Sequence, residues 1–174
     1  MARLLRAVQV CIMRAGSNEV IALIGQRLTT VKSERGENMS KMIFVNLPVR
    51  DLPASRTFYV ALGGEVNPQF SDEQSACVMF SDAIGVMLLT HERYRQFTER
   101  PIGDARRESY ALLALSVDSR DAVNATLTRA TRAGGRADPN PAQDHGFMFN
   151  RTVEDPDGNV WEIMWMDAAA LERK

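Results

Sequence analysis

Apolar and polar positions fall into short runs along this chain, and the runs repeat. Ile43 to Val49 (IFVNLPV) reads as a strand, Asp51 stands where a helix cap belongs, and Pro53 to Leu62 (PASRTFYVAL) is a helix opened by proline and stopped by Gly63-Gly64. Extended runs follow at 65–70, 75–81 and 84–90. The pattern then starts again. Tyr110 to Val117 is the strand, Asp118 and Ser119 are cap candidates, and Val123, Leu127 and Ala130 give the next helix an apolar stripe that ends at Gly134-Gly135. Extended runs at 136–140, 146–153 and 159–166 complete it. Strand, helix and three strands, twice over, predict an α+β fold of two repeated βαβββ modules forming a curved sheet around a cleft. The modules span about 42–90 and 110–167 within a domain of residues 42–174, joined by a linker at 91–109.

The last run carries the most chemistry. Asp155, Pro156, Asp157 and Gly158 are the residue types of a tight reversal. In the strand that follows, side chains alternate, so Trp161, Ile163 and Trp165 point to a core while Glu162, Met164 and Met166 point the other way. A lone acid in such a strand either lines a cavity or lies on the wet side of an edge strand. Trp161 and Trp165 read as packing under a helix, and Cys77 as a small buried apolar group.

Composition narrows the classes. The 174 residues suffice for one domain, and Cys11 and Cys77 have no metal-type spacing, which suggests a reducing cytoplasm and no cysteine-based zinc site. The net charge of −1 divides unevenly: residues 1–41 hold seven Lys/Arg against three Asp/Glu, the remainder fourteen against nineteen. The first 41 residues read as a basic, poorly ordered extension, with Met39 or Met42 as candidate translation starts. No run is apolar over the roughly 20 residues that span a bilayer. Phosphate-loop and nucleophile-elbow motifs are absent, as is a basic aromatic surface, so no nucleic-acid or membrane partner is expected.

Taken together, VRDL with Gly-Gly in the first copy, LLALSVDS in the second, VMLLTHERYRQF, DHGFMFNRTVEDPDG and WEIMWMD resemble the vicinal-oxygen-chelate superfamily over about Met42 to Asp167. That superfamily includes glyoxalase I, bleomycin-resistance proteins and extradiol dioxygenases. The segments look most like its bacterial glyoxalase-related group, often described as predicted lactoylglutathione lyases. The resemblance implies a divalent metal held by the first and fourth strands of each module. Aligned by these motifs, the four ligand positions fall on Phe44, Leu88, Leu112 and Glu162, of which Glu162 alone is of ligand type. Even an open catalytic site normally has three protein ligands.

The resemblance and the residues together lead to a small-molecule-binding protein with a degenerate metal site and no cofactor. Its cleft would serve for binding or for metal-free acid/base chemistry by Glu162. Phe44, Asn46, Leu88, Leu112 and Met164 are the expected lining, and an acid among them suits proton transfer or the gripping of an amine or hydroxyl. The linker is a candidate lid, with Phe97 to bury and Arg95, Arg100, Arg106 and Arg107 to meet an anionic ligand; Arg151 is a candidate partner for Glu162. The alternative is a metal-dependent lyase or dioxygenase in which His145 and other ligands join Glu162, with His91 the other histidine considered. Relatives of this kind commonly pair their modules within or between chains, so a homodimer is expected.

Overall fold

The computed structural model describes residues 41–171, so the expectation for the basic extension lies outside the described residues. In the first module, β1 (Ile43–Val49) leads into α1 (Leu52–Ala61), and β2 (Glu65–Asn67), β3 (Ser75–Met79) and β4 (Ile84–Thr90) follow. A short helix, α2 (His91–Tyr94), begins the linker. The second module runs β5 (Leu112–Ser116), α3 (Arg120–Arg132), β6 (Arg136–Ala137), β7 (Gln143–Asp144), β8 (Met148–Glu154) and β9 (Val160–Met166), before a final turn of helix, α4 (Ala168–Leu171). Each module has its own sheet, ordered β1-β4-β3-β2 and β5-β9-β8-β6, with β7 beside β8. In both, the first strand lies parallel to the last and the remaining pairs are antiparallel. The predicted repeat is therefore present; β7 and α2 are additions the sequence pattern did not signal.

Helix starts follow local chemistry. Asp51 accepts from the Ala54 amide at 2.9 Å, and Ser119, the second of two cap candidates, accepts from the Ala122 amide at 3.0 Å. Each such cap satisfies an amide that the first helical turn leaves without a partner.

Register fixes which side chains share a face. Leu47 lies opposite Leu88, Val45 opposite Val86, and Val78 opposite Val86 on the other side, so these residues form the helix-bearing face of the first sheet. In the second sheet Leu113 lies opposite Trp161 and Leu115 opposite Ile163. The two helix-bearing faces share one core. Phe80 packs on Trp161 at 5.7 Å between ring centroids, Tyr59 of α1 meets Trp161 edge-on at 5.8 Å, and Phe58, Val123, Leu127 and Ile163 are fully enclosed or nearly so. The faces opposite the helices lie outside this core.

A buried polar network ties the modules together. One Asp155 oxygen accepts from the amides of Asp157, Gly158 and Asn159. The other accepts from the Tyr59 hydroxyl at 2.7 Å and the Asn159 side chain at 2.9 Å. The Tyr59 oxygen in turn accepts from Trp161 Nε1 at 3.1 Å. Burial pushes the Tyr59 phenol well above its ordinary range, so it remains a donor to Asp155. Asp157 accepts from the Ser55 hydroxyl at 3.2 Å and the Arg50 amide at 3.1 Å. The Asp-Pro-Asp-Gly turn is thus a clasp between the second module and α1. Gly158 is required there: its φ is +105°, and a Cβ would sit 2.6 Å from the Arg106 amide nitrogen.

Candidate functional site

Glu162 occupies the middle of β9 on the outer face of the second sheet, half-buried. Its side chain lies beside Ala114 of β5 on one flank and Thr152 of β8 on the other. The Asn150 amide donates to Glu162 Oε1 at 3.5 Å, and no cation pairs with the carboxylate among the described residues. Along the same face β9 contributes Val160, Met164 and Met166, and β5 contributes Leu112, Ala114 and Ser116. From these two strands Glu162 is the only ionisable group. Leu112 is 56% exposed, a large apolar side chain left open beside it.

On the first sheet, Phe44 and Asn46 share the outer face with Gly85 and Met87. Gly85 allows the Phe44 ring to lie across β4, since a Cβ there would be 2.7 Å from the ring and 2.8 Å from the Met79 sulfur. The structure thus puts Phe44 and Asn46 on one outer face, and Leu112, Glu162 and Met164 on the other.

Other expected site residues lie elsewhere. Leu88 is fully buried on the helix-bearing face, opposite Leu47 and Ala76; the outer-facing residues of β4 are its neighbours Met87 and Leu89. A strand residue one place along points to the opposite side, so a one-residue slip in aligning VMLLT is enough to account for the misplacement. Arg151 likewise faces the helix side. It lies opposite Ile163, and its guanidinium binds Asp138 at 2.6 Å and Asn124 at 2.8 Å, so it is no partner for Glu162. Arg106 donates to the Pro156 carbonyl at 2.5 Å and belongs to the clasp. Phe97 is half-exposed, with the Arg93 guanidinium 5.9 Å from its ring centroid.

His145 sits in the turn between β7 and β8, its amide donating to the Met148 carbonyl. That places it about 13 Å along β8 from the residue opposite Glu162. The turn is anchored by Arg120, which pairs with Asp144 and stacks over Phe149 and Trp165 at 4.9 and 5.5 Å. The Arg120 hydrogen bond holds the Asp144 carboxyl down at about 2.

A divalent metal does not fit this donor set. The outer-facing positions of β1 are Phe44, Asn46 and Pro48; those of β4 are Gly85, Met87 and Leu89. Together with the β5 and β9 residues above, they offer one carboxylate, one amide, the Ser116 hydroxyl and soft thioethers. The nearest further donors are already placed elsewhere: Glu154 of β8 pairs with Arg136, and His91 begins α2 beyond the end of β4. Among the described residues, no three His, Cys, Asp or Glu side chains converge. Catalytic sites for zinc and its neighbours take three nitrogen, oxygen or thiolate ligands.

Sequence reasoning missed the clasp formed by Tyr59, Ser55, Arg50 and the two turn aspartates. Its signal was available as two acids in one turn ahead of a buried Trp, but these were read only as turn formers. No described helix is long and apolar enough to cross a membrane.

Comparison with known proteins bears on the fold. A glyoxalase/bleomycin resistance protein/dioxygenase family enzyme from Burkholderia phytofirmans PsJN is 22% identical, with a TM-score of 0.59 over 73% of this chain and 99% of that one. A glyoxalase-related enzyme from Fulvimarina pelagi is 22% identical, with a TM-score of 0.61 over 73% and 88%. A bleomycin resistance determinant encoded on the transposon Tn5 is 18% identical, with a TM-score of 0.51 over 74% and 99%. At these identities the likeness is one of fold. A comparison with curated proteins gives no match. In sequence, residues 41–163 match the family described as the Glyoxalase/Bleomycin resistance protein/Dioxygenase superfamily. With its repeated βαβββ modules and matched span, the chain belongs to that superfamily.

Proposed function

We propose that this protein binds a small, largely apolar molecule carrying an amine or hydroxyl against the outer face of the second sheet, without a metal. One observation carries the reading: Glu162 is half-buried beside Ala114 and Met164, and among the described residues it is hydrogen-bonded by Asn150 alone, with no cation to neutralise it. A carboxylate so placed rewards a ligand that brings its own positive charge or donor. The same group is placed to exchange a proton with a bound ligand, so slow acid/base chemistry is compatible with binding.

A second copy of the chain closes the site in this reading. The outer face around Leu112, Ala114 and Ser116 is exposed in one chain, and a homodimer would cover it with another sheet. Light scattering then gives twice 19.4 kDa; a monomer removes that part of the proposal.

Calorimetry with small apolar amines tests the ligand class; metal-free bleomycin, a larger and more polar compound, is a separate probe because a structural relative is described as a bleomycin resistance determinant. Glu162→Gln keeps the shape and removes the charge. It weakens a cationic ligand about tenfold or more, corresponding to about 1.4 kcal/mol. Equal binding by both proteins overturns the assignment.

A further inference from the structure

A cavity of about 350 Å³ lies in the seam between the two modules, and Glu162 is not among its lining residues. β1 and β5 are the end strands of their sheets, and both contribute to its walls; linker residues between His91 and Ala111, together with Arg50 and Asp157 to Val160, form the rest. Its size lies within the usual range for small-molecule sites, about 300–1,000 Å³. The linker is therefore folded against the seam, where it gives β1 and β5 a shared covering.

The polar groups of this cavity are unequally committed. Both acids in its wall are engaged: Asp157 by Ser55 and Arg50, and Glu108 by the Tyr110 hydroxyl at 3.4 Å. Four other side chains in the wall, Asn46, His91, Tyr94 and Arg100, make no side-chain hydrogen bond or ion pair among the described residues. All four are able to donate, and Arg100 carries a fixed positive charge. The wall also has apolar members, Val45, Leu47, Ile102 and Leu113. A ligand that satisfies both kinds of group supplies acceptor oxygens and a compact apolar body.

We propose that the seam is a binding site for a small carboxylic acid with a flat apolar body, its carboxylate held by Arg100 with His91 and Tyr94. The site does not include Glu162 and has the opposite charge preference, so the two proposals stand or fall independently. A linker that folds over such a ligand also ties its occupancy to the contact between modules.

The test uses the full chain, with benzoate and its neutral isostere benzamide as probes, followed by calorimetry and by amide chemical shifts. Benzoate binds at least tenfold more tightly than benzamide, Arg100→Gln removes that difference, and Glu162→Gln leaves it intact. Shifts concentrate on β1, β5 and the linker. Arg100 is exposed, and a thermal melt confirms that the variant stays folded. The proposal is overturned by equal affinity for the two probes, by no binding at millimolar concentration, by a folded Arg100→Gln protein with unchanged preference, or by shifts centred on β8 and β9.

Discussion

Replacing Tyr59 by Phe removes one oxygen from the interior, and the structure specifies what is left behind. Tyr59 is inaccessible to solvent, and Asp155 and Trp161 are each 3% exposed, so water does not readily take the place of the hydroxyl. Trp161 Nε1 loses its acceptor at 3.1 Å, and an unsatisfied buried donor costs about 1–3 kcal/mol. Asp155 loses one donor of five and keeps Asn159 on the same oxygen, a smaller loss of about 1 kcal/mol. The two terms share an atom and do not simply add, so the expected destabilisation is about 2–3 kcal/mol. Urea unfolding measures it as a lower midpoint with an unchanged slope. A loss below about 0.5 kcal/mol would refute the view that this network holds the modules together.

Other consequences follow from the same geometry. Ser55→Ala costs only about 1 kcal/mol by the same assay, because Asp157 retains the Arg50 amide at 3.1 Å. Gly158→Ala destabilises by about 1–3 kcal/mol, since the positive φ and the Arg106 backbone both oppose a Cβ. Asp144 titrates at about 2 in an NMR pH series, and Arg120→Met returns it toward 3.8. The sign is that of a depressed carboxyl: its contribution to stability is complete above about 3.8 and is lost as pH falls toward 2.

The fold was legible because its signals are local and redundant. Asp51 and Ser119 cap the helices, Gly pairs end them, and the alternation in Trp161 to Met166 assigns one side of β9 to the core, as the burial of Trp161 and Ile163 bears out. The site was less legible, because facing depends on parity. Glu162 and Leu112 lie on the outer side that alternation expects for them, whereas Leu88, a cleft position in the motif alignment, turns to the helix side one residue out of phase. Arg151 shows the same limit: its distance from Glu162 in sequence gives no warning that Thr152 is the residue lying opposite. The clasp depends on contacts about 100 residues apart between α1 and the final turn, which no local pattern reports. The committed acids Asp155 and Asp157 looked like turn formers because that is also what they are.

Metal titration into chelator-treated protein, run beside Glu162→Gln, tests the central claim most directly. The account predicts that nickel, zinc, iron(II) and manganese show no one-to-one binding that depends on Glu162. A single equivalent bound by the native chain and lost in the variant would contradict it, and would mean that ligands beyond Phe44, Met87 and Leu112 converge on that carboxylate.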